Sequence, residues 1–234
     1  MLVRHRDPQA VARAAASAIV DGAFRAIHQH GNFRLVLAGG RTPRAAYRLL
    51  ADEMRTDVDW RRVTLYFGDE RCLPPTDSAS NYGMVKEALI DPLKLPIAMV
   101  RRMAGEMPPD TAAAEYDSEL RRVMEDRQPA FDLVLLGMGA EGHTASLFPG
   151  SPALHERHRM AVHVRVPAQP PDRLTMTPPA LASTGQILFM VTGADKAQAV
   201  AEVFKEGSEL PAAMVSRLAP SRFLVDEAAA GEVV

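Results

Sequence analysis

The stretch at residues 131–150 contains the side chains best suited to do chemistry. Its pattern is typical of a buried strand that runs into a glycine-rich turn carrying an acid, Glu141, and a histidine, His143. Histidine accepts protons readily near neutral pH, and glycines leave backbone N–H groups open to a ligand. A histidine that only packs in the interior is the alternative, but the flanking glycines and acid favour catalysis. We therefore predict that His143 is a general base.

A second glycine-rich turn carries positive charge. The predicted strand at residues 34–38 is followed by Gly39, Gly40, Arg41, Thr42 and Pro43. We predict that Thr42 caps a helix and that Pro43 is the first helical residue. Free N–H groups at such a helix start bind phosphate, and Arg41 adds charge there. A plain strand-to-helix turn explains the pattern equally well, because the spacing matches neither a phosphate loop nor a dinucleotide fingerprint.

Charged residues follow a third strand end. The predicted strand at residues 63–67 is followed by Gly68, Asp69, Glu70 and Arg71. A solvated loop would explain this cluster alone, but three strand ends that each carry glycine and charge indicate a shared site. Further along, Arg173 follows a proline-rich loop and Lys196 begins a predicted helix. Each of these two is either a surface charge or a phosphate ligand.

Strand-like apolar runs alternate with helical stretches along most of the chain. The predicted strands lie at residues 34–38, 63–67, 131–136, 161–166, 186–191 and 223–225, and the predicted helices at residues 42–54, 81–90, 108–126 and 196–205, after a helix that begins at Asp7-Pro8. This alternation predicts an α/β fold with a mainly parallel open sheet and helices on both faces, which is Rossmann-like. With 234 residues, we expect a single domain over residues 1–234, with a small excursion around residues 145–180.

The composition argues against several classes of protein. The formal net charge is -2 and 47% of the residues are hydrophobic, so we expect neither nucleic-acid nor membrane binding. No apolar run approaches the length of a membrane span. The single cysteine, Cys72, excludes an intramolecular disulfide and fits a reducing compartment. We therefore expect a cytoplasmic protein.

Other chemistries are weaker readings of the same residues. Cys72 follows Arg71, which would allow a thiolate nucleophile with His143 as its base, but nothing around it is typical of a thiol enzyme. Three histidines lie close together in the sequence: His155, His158 and His163. Their spacing fits no common zinc-binding motif, so we predict no metal site. A general esterase is disfavoured because the chain has no nucleophile elbow.

Together the strand-end motifs resemble those of the 6-phosphogluconolactonase family, which shares a superfamily with the glucosamine-6-phosphate deaminases. The family's Ser-Gly-Gly-Ser-Thr-Pro loop corresponds to residues 38–43, its Gly-Asp-Glu-Arg stretch to residues 68–71 with Ser80-Asn81 after it, and its Gly-x-Gly-x-Asp-Gly-His-Thr-Ala-Ser-Leu-Phe-Pro signature to residues 137–149. The last motif is long and specific. The resemblance extends over nearly the whole chain, from Leu35 to about Lys196.

The residues after His143 resemble the lactonase branch. Deaminases typically continue with Ile-Ala-Phe-Asn-Glu-Pro, whereas this chain continues with Thr-Ala-Ser-Leu-Phe-Pro. The chain also departs from the family pattern. Ala38 and Arg41 replace serines, which removes two hydroxyl ligands and adds one charge. Glu141 stands where the family usually has aspartate, so its carboxylate lies one methylene further out.

The resemblance implies hydrolysis of 6-phospho-D-glucono-1,5-lactone to 6-phosphogluconate in the oxidative pentose phosphate pathway, without a metal or organic cofactor. It implies that His143 is the base, that Asp69 or Glu141 orients it, and that Arg71 stabilises the oxyanion or holds the substrate. The residues implied to bind the phosphate are Gly39, Gly40, Arg41, Thr42, Arg173 and Lys196. The expected partner is thus a small sugar-phosphate lactone, and the expected assembly a monomer or homodimer.

Two other functions are open on the same scaffold. One is a glucosamine-6-phosphate deaminase or isomerase, which would release ammonia or interconvert sugar phosphates. The other is a non-catalytic sugar-phosphate sensor. Such sensors usually carry a fused DNA-binding segment and often lose the base, whereas we expect no additional N-terminal domain here and His143 is present.

Overall fold

The structure is a computed structural model that describes residues 1–231. Its strands are β1 (Leu2–His5), β2 (Phe33–Leu37), β3 (Val63–Phe67), β4 (Asp69–Arg71), β5 (Val100–Arg101), β6 (Leu133–Gly137), β7 (Ala161–Arg165), β8 (Asp172–Met176), β9 (Ile187–Val191) and β10 (Ser221–Asp226). Its α-helices are α1 (Pro8–His30), α2 (Arg41–Asp52), α3 (Asn81–Val85), α4 (Asp91–Leu93), α5 (Pro109–Asp126), α6 (Pro178–Ala182), α7 (Ala197–Val203), α8 (Pro211–Ser216) and α9 (Glu227–Ala230).

Within residues 1–231, seven parallel strands form the main sheet in the order β1-β10-β9-β6-β2-β3-β5. Successive side chains of these strands point to opposite faces of the sheet, and each face packs against its own hydrophobic core. This is expected of a sheet that is buried on both faces. Leu35 and Leu37 of β2 pack with α1 and α2, whereas Val36 packs on the other side with residues of α5 to α9. The predicted mainly parallel, Rossmann-like α/β fold is confirmed.

A small second sheet, with the order β4-β8-β7, is antiparallel and stands beside the main sheet. The strand predicted at residues 161–166 lies in this sheet as β7, within the excursion expected around residues 145–180. The polar segment at residues 69–71 also forms a strand, β4, which its three charged residues do not indicate. Its strand geometry comes from pairing with β8, a tertiary contact that outweighs local propensity.

The first helix begins as predicted, because the Asp7 side chain accepts a hydrogen bond from the Ala10 backbone N–H at 2.7 Å. The prediction that Thr42 caps the next helix is wrong. Gly40 is the cap of α2, and its positive φ of 110° favours glycine there. The Thr42 hydroxyl instead hydrogen-bonds the Thr192 hydroxyl at 2.8 Å, which ties the start of α2 to the loop after β9.

The helix predicted at residues 81–90 is interrupted. A π-helical segment, Lys86–Ile90, joins α3 to α4. The helix predicted at residues 196–205 is shorter in the structure, because a 3₁₀ turn at Ala194–Lys196 precedes α7. No helix of residues 1–231 is both long enough and apolar enough to cross a membrane.

Candidate active site

The strand order creates a crevice at the carboxyl ends of β2 and β6. From β2 the chain proceeds to β3 and β5 on one side, and it later returns to β6, β9 and β10 on the other side. The loops that leave β2 and β6 therefore diverge, and ligands of open α/β sheets bind at such a switch point. The loops after β3 and β9, which carry residues 68–71 and Lys196, adjoin this crevice because β3 pairs with β2 and β9 pairs with β6.

A cleft of about 730 Å³ lies at this position. The residues predicted for the site line it together, with the exception of Glu141: Gly39, Gly40, Arg41, Thr42, Asp69, Arg71, His143, Arg173 and Lys196. Glu141 reaches the site indirectly, through its contact with His143. Among residues 1–231, no group of three or more His, Cys, Asp or Glu side chains is arranged to hold a metal ion.

His143 is held between an aromatic ring and a carboxylate. Its ring stacks on Phe148 with 4.1 Å between centroids and 13° between planes. Its Nδ1 lies 3.1 Å from Glu141 Oε1, although the alignment falls outside hydrogen-bonding geometry. Gly139 permits this arrangement, since a Cβ atom there would lie 2.1 Å from His143 Nδ1 and 2.5 Å from Glu141 Oε2. The other ring nitrogen, Nε2, is therefore the one left to exchange a proton with a ligand.

The Glu141 carboxylate keeps its negative charge in this setting. Partial burial raises its pKa, but a backbone hydrogen bond, the contact with His143 and the charge of Lys196 lower the pKa by more, so its net pKa lies below the usual range. A carboxylate that stays ionised beside Nδ1 stabilises the protonated form of an imidazole. The arrangement thus suits a histidine that gains a proton during a reaction.

Asp69 is buried and has different partners. Its carboxylate accepts hydrogen bonds from Ser146 Oγ at 2.7 Å and from Asn81 Nδ2 at 3.1 Å. The close carboxylate neighbour of the His143 ring is Glu141 rather than Asp69. Asp69 joins the His143 loop to α3, because Ser146 belongs to that loop. Gly39 completes this packing, since a Cβ atom there would lie 1.9 Å from Asn81 Oδ1.

Glu70 is a structural acid within the same motif. It is 2% exposed and accepts hydrogen bonds from the backbone N–H groups of Asn81 and Tyr82, each at 2.7 Å, and from Ser80 Oγ at 3.1 Å. Burial raises its pKa, while those backbone hydrogen bonds oppose the rise. Glu70 therefore fixes the start of α3, which explains why the charge cluster and the later Ser80-Asn81 pair occur together.

Two arginines stand side by side on the small sheet. Arg71 of β4 is the register partner of Arg173 of β8, so both side chains lie on one face and both line the cleft. Burial and the neighbouring positive charge of Arg71 lower the pKa of Arg173. The Arg173 guanidinium is held by the carbonyl oxygens of Pro170 and Gln169, at 2.7 and 3.2 Å. The wall of the cleft formed by the small sheet is thus strongly positive.

A second positive region lies between the loops after β2 and β9. It contains Arg41, which is exposed, and Lys196, whose side chain is 22% exposed. The Lys196 ammonium lies 2.9 Å from Asp195 Oδ2 and close enough to Glu141 to lower that acid's pKa. The N-terminus of the twelve-residue helix α2 opens into the same region at Gly40. Backbone N–H groups and two cations together form an anion-binding environment.

Several residues that shape the site were not singled out from the sequence. In the sequence, Ser146 and Phe148 stand out only as members of the family signature at residues 137–149. Asn81 stood in the recognised Ser-Asn pair, but no pattern reveals that it holds Asp69. Asp195 had no signal of its own beyond its place in the loop after β9.

Comparison with known proteins agrees with this geometry. The sequence profile of the glucosamine-6-phosphate isomerases/6-phosphogluconolactonase family matches residues 6–223. The chain therefore belongs to this family of α/β sugar-phosphate enzymes.

Several proteins that are similar to this chain are 6-phosphogluconolactonases. The 6-phosphogluconolactonase of Streptomyces coelicolor is 36% identical over 245 residues, which covers 99% of this chain and 94% of that protein. The 6-phosphogluconolactonase of Rattus norvegicus is 37% identical over 206 residues, covering 86% of this chain and 80% of that protein. The crystal structure of 6-phosphogluconolactonase from Thermotoga maritima superposes with a TM-score of 0.85 at 27% identity, covering 97% and 99% of the two chains.

Proposed function

We propose that the cleft hydrolyses 6-phospho-D-glucono-1,5-lactone to 6-phosphogluconate, a step of the oxidative pentose phosphate pathway. Membership of the family and the names of the relatives support a lactone hydrolase. The observation that carries the assignment of the site is the His143–Glu141 pair, which lies at the switch point of the sheet beside two positive regions. We also propose a cytoplasmic location, which the implied pathway supports, and a monomer or homodimer as the working unit.

The reaction needs one proton acceptor and one stabiliser of negative charge. His143 Nε2 takes a proton from a water molecule while the water oxygen attacks C1 of the lactone, which produces an oxyanion on the former carbonyl oxygen. The C1–O5 bond then breaks, and the imidazolium returns the proton to the leaving ring oxygen. Glu141 stabilises the imidazolium between these steps because its carboxylate lies 3.1 Å from Nδ1.

The positive wall of the small sheet takes the developing charge. Arg71 lines the cleft, and its guanidinium is anchored by the carbonyl oxygen of Ala79. Because an anchored donor needs little reorganisation during the reaction, it stabilises an oxyanion more effectively than mobile water does. Arg173 stands beside Arg71 and adds its charge to the same wall.

The phosphoryl group lies at the other positive region. Its oxygens accept hydrogen bonds from the backbone at Gly39 and Gly40, from Thr42 and from Lys196, with Arg41 as an additional cation. The charge of Arg41 compensates in part for the phosphate-binding hydroxyls of the two serines that the family loop has at positions 38 and 41. A phosphate bound there lies away from the reacting carbon, and its binding energy positions the lactone against His143.

A coupled assay tests the proposal. Glucose 6-phosphate is oxidised to produce fresh lactone, and 6-phosphogluconate formation is followed with and without the protein, after subtraction of spontaneous hydrolysis. The rate should rise well above background with the wild-type chain. It should fall about 10²- to 10⁴-fold for His143→Ala and stay near normal for His155→Ala, an exposed histidine outside the cleft.

Two outcomes would argue against this function. Near-normal turnover by a folded His143→Ala variant would remove the assigned base. Release of ammonia from glucosamine 6-phosphate, with no acceleration of lactone opening, would identify the deaminase reaction instead.

A further inference from the structure

An acid projects into the positive region that the proposed function assigns to the phosphate. Asp195 lines the cleft, and its Oδ2 lies 2.9 Å from the Lys196 ammonium. The hydrogen bond from Lys196 lowers the pKa of Asp195, and the charge of Arg41 lowers it further. Asp195 therefore carries a full negative charge beside both cations of this region.

The backbone around Gly193 fixes the position of the Asp195 carboxylate. Asp195 Oδ1 lies so close to Gly193 that a Cβ atom on the glycine would be 2.8 Å away. Gly193 has a φ of 101°, and its N–H is held by the Asp226 carboxylate at 3.0 and 3.1 Å. Asp226 thus holds the loop in place at Gly193. One oxygen of the Asp195 carboxylate lies against Gly193, and the other contacts Lys196.

An acid is electrostatically unfavourable where a phosphate binds. Exposed Asp–Lys neighbours usually form pairs of little energetic value, and the Asp195 side chain is 67% exposed. This pair differs from an ordinary surface pair because its lysine is only 22% exposed and lies in the cleft. The same ammonium is the one that a phosphoryl oxygen would contact. A carboxylate and a phosphoryl group cannot both take that contact without repulsion.

We propose that Asp195 is an affinity-determining residue that competes with the substrate phosphate for Lys196 and Arg41. This inference rests on the proposed function, which assigns those cations to the phosphate. The phosphoryl group binds by displacing the carboxylate, and the carboxylate regains Lys196 as the phosphorylated product leaves. Asp195 thereby weakens the binding of substrate, product and inorganic phosphate alike, and it has no effect on ligands that lack a phosphate.

The variant Asp195→Asn tests the competition, because it removes the charge and keeps the shape. The KM for the phosphorylated lactone and the inhibition constants of 6-phosphogluconate and inorganic phosphate should each fall about two- to fivefold. The gain should shrink at high salt, since charge effects at a partly exposed site are screened. Turnover of unphosphorylated glucono-1,5-lactone should stay the same. Glu202→Gln is the matched control, because it also removes one negative charge. Glu202 lies on α7 and pairs with Lys205 outside the cleft.

Lys196→Ala separates failure of this inference from failure of the proposed function. If Lys196→Ala weakens phosphate inhibition but Asp195→Asn leaves it unchanged, the competition is overturned and the phosphate assignment stands. If Lys196→Ala leaves phosphate inhibition unchanged, the phosphate assignment itself is wrong. In the double variant the effect of Asp195→Asn should largely disappear. An undiminished effect there would show that Asp195 acts by another route, and would overturn the proposal.

Discussion

Replacing Glu141 by glutamine isolates the electrostatic part of its contact with His143. The substitution keeps the size of the side chain and removes the charge that lies 3.1 Å from Nδ1. Without that charge the imidazolium that forms during the reaction is less stable, so the step in which His143 takes the proton is slower. We therefore expect kcat to fall.

The size of this effect follows from the exposure of the pair. The Glu141 side chain is 51% exposed and the His143 side chain 28%, so water screens much of the attraction. With that screening, an ion pair at this distance is worth about 1 kcal/mol. An energy of about 1 kcal/mol corresponds to a loss of about fivefold in kcat.

The assay is kcat for lactone hydrolysis, measured at one pH for the wild type, Glu141→Gln and Glu141→Asp. The aspartate variant keeps the charge and shortens the side chain, so its kcat should fall less. Glu202→Gln controls for the change in net charge, since that residue lies outside the cleft. An equal loss of kcat in Glu141→Gln and Glu141→Asp would refute the reasoning, because Glu141 would then act through its shape rather than through its charge.

Two further variants test the surroundings of the base, and a third tests the cysteine. Gly139→Ala should lower kcat at least about tenfold, because the new Cβ atom would stand 2.1 Å from His143 Nδ1 and displace the ring from its position. Phe148→Leu should lower kcat about threefold, since the stacked ring no longer stabilises the imidazolium that forms during the reaction. Cys72→Ser should leave turnover unchanged, and the wild-type thiol should alkylate slowly at pH 7.5, because burial and the nearby Asp172 charge raise its pKa to about 11.

Each of these variants has a control or an opposing outcome. Gly22→Ala, in α1, should retain full activity, since its Cβ atom would meet Phe33 only at an ordinary 3.4 Å. Phe189→Leu removes a ring stacked on Phe223 at 4.1 Å, so it should lower the melting temperature without lowering kcat. Rapid alkylation of Cys72 with parallel loss of activity would instead return the cysteine to consideration as a nucleophile.

The sequence alone was sufficient for five of the seven strands of the main sheet, β2, β3, β6, β9 and β10, and for the edge of the sheet at which the candidate site residues meet. Apolar runs such as residues 133–136 are long enough to be buried on both faces, which dictates parallel strands covered by helices. Glycines and charges at the ends of β2, β3 and β6 then point to one edge, because parallel strands end on the same side. The family signature around His143 added the reaction, since its thirteen-residue motif at residues 137–149 is specific.

Local patterns were not sufficient where tertiary pairing decides the structure. The residues of β4 are all charged, so nothing in their own sequence indicates a strand; the pairing with β8 creates it and brings Arg71 beside Arg173. Thr42 is a residue type that is favoured as a helix cap, yet Gly40 takes that role and adopts a positive φ. The pairing of β4 with β8 joins residues that are far apart in the chain, and no local pattern encodes it.

The difference between what the sequence and the tertiary structure determine is clearest at the proposed catalytic pair, His143 and Glu141. The sequence determined that a histidine and two candidate acids, Asp69 and Glu141, occur in glycine-rich turns at strand ends. Only the tertiary structure decided that Glu141 lies beside the ring, while Asp69 is taken by Ser146 and Asn81. Composition and spacing determine which groups are available near an edge of the sheet, because they act through local geometry. Distances between side chains depend on how loops from different strands pack, and that packing exists only in the folded chain.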